Sequence, residues 1–69
     1  MLKFAIIRTK DDDEETLYIS DTKEAAMKKG EEIANRSMRS EGLISLERID
    51  VDEENHRISN RCELMHTWR

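Results

Sequence analysis

This sequence predicts an α+β fold in ββαββ order, a four-stranded mainly antiparallel sheet with one helix packed on one face. Three observations carry that reading. Four stretches show apolar residues with the two-residue period of a strand. One stretch between the second and third shows the wider apolar stripe of an amphipathic helix. Short polar connections join the first two and the last two strands, so each pair reads as a hairpin.

In "LKFAIIRT", Leu2, Phe4 and Ile6 alternate with Lys3, Ala5 and Ile7, a strand with one strongly apolar face. "TLYIS" places Leu17 and Ile19 on one face and Thr16 and Tyr18 on the other. The connection between them holds Asp11 to Glu15, contains no glycine, and reads as longer than a two-residue turn.

The helix is expected within "SDTKEAAMKKGEEIANRSMRSEG". Asp21 can cap it, with Glu24 three residues on in capping-box spacing, and Gly42 can end it in the left-handed conformation. Ala26, Met27, Gly30, Ile33, Ala34, Ser37 and Met38 form one stripe. Gly30 costs about 1 kcal/mol relative to alanine inside a helix. Its place on the inward stripe suits a helix that lies close against the sheet. A helix of about 20 residues would span about 30 Å.

"LISLERIDV" and "RISNRCELMHTW" flank "DEEN", with Asn55 suited to a positive φ. In the last strand Ile58, Cys62, Leu64 and Trp68 share one parity. In the third, Ile44 and Leu46 are even while Ile49 and Val51 are odd. A β-bulge near Glu47 and Arg48 would turn all four inward. A regular strand instead leaves Ile49 and Val51 on the face away from the helix, and pairs Asp52 with His56, Leu46 with Cys62 and Ile44 with Leu64. The regular strand needs no interruption and is preferred. The core then joins Leu2, Phe4, Ile6, Leu17, Ile19, Ile44, Leu46, Ile58, Cys62 and Leu64 to the helix stripe.

Residues 1–69 are one domain, small enough that its core gains from an added constraint such as a disulfide, a metal or a second copy. One cysteine excludes an internal disulfide. The net charge of −4 disfavours nonspecific nucleic-acid binding. No signal peptide and no membrane-spanning apolar run is visible, and a free thiol fits the reducing cytoplasm.

Reactive side chains concentrate in "RCELMHTWR". On a strand Cys62 and His66 stand about 13 Å apart, too far to share a zinc ion or act as a nucleophile and base. Cys62 therefore reads as a small core residue, and Trp68 as the lid of the core or an anchor for a partner. Asp11 to Glu15 lack the interleaved spacing and the glycine of a calcium loop, and read as a solvated tip. Phosphate loops and nucleophile elbows are missing from the sequence. The expectation is a non-enzyme with no cofactor, no metal site and no small-molecule substrate.

Parity leaves Ile7, Tyr18, Arg57, Arg61 and Met65 on the uncovered sheet face, joined by Ile49 and Val51 in the regular strand. Aromatic, methionine and arginine residues among aliphatic ones resemble a protein interface. The sequence thus points to an interaction or assembly module that forms a homodimer, or docks another protein, through this face or the second hairpin. The alternative is nucleic-acid binding, with a base stacked on Tyr18 and phosphates held by Arg57 and Arg61.

Overall fold

The computed structural model describes residues 1–37 and 41–68, without the side chains of residues 59–61. The elements are β1 (Leu2–Lys10), β2 (Asp13–Ser20), α1 (Lys23–Arg36), β3 (Leu43–Val51) and β4 (Arg57–Trp68). The strands form one antiparallel sheet in the order β2-β1-β3-β4, so the expected ββαββ α+β fold is present.

The first hairpin is tighter than its sequence suggests. Lys10 pairs with Asp13, and the turn between them is only Asp11 and Asp12, at φ 50° and 71°. Two successive positive φ angles are the signature of a type I′ turn, whose twist matches that of the strands. Aspartate tolerates this region better than most non-glycine residues. Glu14 and Glu15 consequently belong to β2 rather than to a loop.

Helix α1 is 14 residues long, shorter than the expected 20. Its cap is Thr22, not Asp21: the Thr22 hydroxyl accepts from the Ala25 N–H at 3.3 Å, while Asp21 pairs with Lys3 at 2.8 Å. At the other end the Ser37 hydroxyl donates to the Ile33 carbonyl at 2.7 Å, and the Ser37 N–H donates to Ile33 and Ala34. The helix ends where Ser37 turns extended, at φ −89° and ψ 141°, well before Gly42, which takes φ 118° just ahead of β3 and beside the Thr9 carbonyl. Ala26 and Gly30 are buried, with Met27, Ile33 and Ala34 packed around them, as the stripe predicts. Met38 lies outside the described residues.

The two central strands are regular. β1 and β3 pair without a shift from Leu2↔Asp50 to Thr9↔Leu43, so no bulge interrupts β3 near Glu47. β2 carries one such shift and β4 two, one of them three extra residues of β4 between Val51↔Arg57 and Ile49↔Cys62. In β2, Leu17 is the extra residue between the Ile6↔Tyr18 and Ile7↔Thr16 pairs. In β4, Met65 is extra between Leu46↔His66 and Glu47↔Leu64. An extra residue on an edge disturbs one ladder, whereas in a central strand it would disturb two.

These bulges reassign the faces. Toward the helix lie Ile6, Ile44, Leu46 and Ala26, with Phe4, Leu17, Tyr18, Met65 and Trp68 packed against them. Away from it lie Ala5, Ile7, Ile49 and Val51, with Ile19 beside them. Leu17 and Ile19 are thus split between faces, and Cys62 and Leu64 pair with Ile49 and Glu47 on the far side. Leu2 and Ile58, expected in the core, are exposed. The second hairpin begins as expected, with the Asp52 N–H on the His56 carbonyl at 2.9 Å and Asn55 at φ 62°. Its pairing then slips by several residues, so that Leu46 meets His66 and Ile44 meets Trp68.

Candidate interaction surface on the last strand

The face opposite the helix was expected to be open, and it is closed. Ile7 and Ile49 are 1% exposed and Val51 is fully buried. The sheet curls until its two edges approach across this face, where Arg57 Nη1 of β4 stands 3.6 Å from Glu14 Oε2 of β2. The bulges at Leu17 and Met65 add local twist in the two edge strands that must bend furthest. One helix covers one face, and the sheet folds over its other face.

The seven residues assigned to a partner surface are therefore not one surface. Ile7, Ile49 and Val51 sit together inside the curl, and Arg57 stands at its rim. Tyr18 faces the helix, half-buried, with the Lys29 ammonium 5.9 Å from its ring centre. Met65 is the bulge residue and also packs on the helix side. The Arg61 side chain lies outside the described set. The nucleic-acid reading needs Tyr18 and Arg57 on one exposed face, and the bulge at Leu17 sends them to opposite faces.

Where the curl ends, the inner face turns polar. Ser45 and Glu47 are 5% and 8% exposed, and the Ser45 hydroxyl donates to Glu47 Oε2 at 3.4 Å. The Cys62 thiol also donates to the Glu47 carboxylate; that bond comes first, with burial and the Glu47 charge adding to it, in pushing the thiol pKa up. Among the described residues no cation pairs with Glu47. Cys62 and His66 lie on opposite faces of β4, because the Met65 bulge falls between them. Parity places Glu47 beside Ile49 and Val51, and that neighbourhood was the available sign of its burial.

Of the exposed large apolar side chains, Met1 precedes β1, Leu2 and Leu43 lie on β1 and β3, and two lie on β4. Leu64 is 63% exposed and Ile58 58%, on a strand that pairs only with β3. Cys62 is exposed between them. The other edge differs: β2 opens with Asp13, Glu14 and Glu15, charges that discourage strand addition. Charges on β4 are compensated within the chain, Arg57 by Glu14 and Glu63 by a short bond from Arg48. Trp68 is engaged inside, edge-on to His66 at 4.6 Å between ring centres and against the backbone of Gly30.

The acidic turn lines a shallow cleft with Arg8, Lys10 and Glu41, and Arg8 lies 3.9 Å from Glu15. Among the described residues no group of three histidine, cysteine or acidic side chains is placed to hold a metal ion. Likewise, no helix there is long and apolar enough to cross a membrane. No family model, curated protein or solved structure matches the chain.

Proposed function

We propose that this chain is a non-enzymatic interaction module that assembles with itself through the outer edge of β4. The observation that carries the reading is the exposure of Leu64 and Ile58 on an edge strand of 12 residues. An edge strand offers unpaired backbone donors and acceptors to another strand, and apolar side chains beside them add burial on pairing. The inner sheet face is filled by the chain's own residues, which transfers the expected assembly surface to this edge. A cytoplasmic setting fits the free thiol of Cys62. A non-catalytic role fits the separation of Cys62 from His66 and the carboxylate that holds the thiol protonated.

Light scattering over a protein concentration series, at low and high salt, tests the reading. A dimer that changes little with salt is expected, because strand pairing and apolar contact are weakly screened. A monomer at every concentration overturns it. Salt-sensitive retention on single-stranded nucleic acid by that monomer would favour the alternative.

A further inference from the structure

We draw no further inference here: the strongest candidate, the cluster of Ser45, Glu47 and Cys62 where the inner face of the curl turns polar, carries nothing, because the hydrogen bonds that Glu47 accepts come from within the cluster and nothing among the described residues points to a ligand there.

Discussion

Arg57 and Glu14 lie 3.6 Å apart although they belong to the two opposite edges of the sheet. The contact marks where the curl closes, but its strength is limited, because the side chains are 33% and 51% exposed. A double-mutant cycle with Glu14→Gln and Arg57→Gln should give a coupling of about 0–1 kcal/mol, after discounting for solvent screening. Ile49→Val, inside the curl, should alone cost about 0.5–1.5 kcal/mol. Urea unfolding of the four chains and of Ile49→Val measures both. A neutral Ile49→Val would mean that the inner face is open, and a coupling above about 2 kcal/mol would make the ion pair the main closure.

Gly30 and Trp68 give a second test. A Cβ on Gly30 would fall within 2.8 Å of three atoms of the Trp68 ring. Helix propensity favours Gly30→Ala by about 1 kcal/mol, while overpacking against a rigid ring costs about 1–3 kcal/mol. The packing cost should win, with a net loss of about 1 kcal/mol in urea unfolding. Since Trp68 is the sole tryptophan, its emission also reports the displacement. In a Trp68→Leu background the sign should reverse, with Gly30→Ala neutral or stabilising. Destabilisation of the same size in both backgrounds would remove Trp68 from the explanation.

Sequence and structure agree where the ladders are regular. Parity in β1 and β3 places Ile6 and Leu46 against the helix and Ile49 and Val51 on the other face, and both strands pair without interruption. It misleads at the edges, where Leu17, Met65 and three further residues of β4 between Arg57 and Cys62 are in excess of the partner strand and reverse the faces beyond them. Neither Leu17 nor Met65 carries a local bulge signal such as glycine; the need for twist arises from the whole sheet. The curl is likewise a tertiary property, which is why Ile7 and Val51 read as surface and are core. Helix length differs because the backbone turns extended at Ser37, one residue after Arg36, which the apolar stripe does not signal. Of the candidate surface, exposure of Leu64 and Ile58 became visible only with the register of β4 in place.

The turn of the second hairpin carries a pH signature. Asp52 Oδ1 accepts from the N–H groups of His56 and Glu54, each at 2.9 Å. The bond from His56 is the largest cause holding the Asp52 carboxyl below its ordinary value, with the Glu54 N–H and the His56 charge acting the same way against burial. A carboxylate depressed in the folded state stabilises it above about pH 3.9, the unfolded value. That contribution is lost as pH falls below it through the folded value. A carbon-detected NMR titration should find the Asp52 midpoint below that of an unstructured aspartate, and Asp52→Asn should flatten acid unfolding in this window. A midpoint at or above the ordinary value would show that the turn does not bind the charged form.

Cys62 separates access from reactivity. Its side chain is exposed, so a thiol reagent can reach it, but the thiol donates to Glu47 and faces a carboxylate charge. Only the thiolate reacts, and each of these influences disfavours it. At pH 8 the folded protein should react with an aromatic disulfide reagent severalfold more slowly than the chain in denaturant, where Cys62 has an ordinary thiol pKa. Glu47→Gln removes the charge and weakens the acceptor, so it should speed the folded reaction and lower the pH midpoint of its rate. Glu47 is buried, and the variant's circular dichroism and unfolding midpoint must show that it remains folded. If a folded Glu47→Gln protein reacts at the parent rate with the parent midpoint, Glu47 does not hold the thiol protonated. Slow reaction would then have to arise from obstruction, and pairing of β4 with a second copy would supply it in a concentration-dependent way.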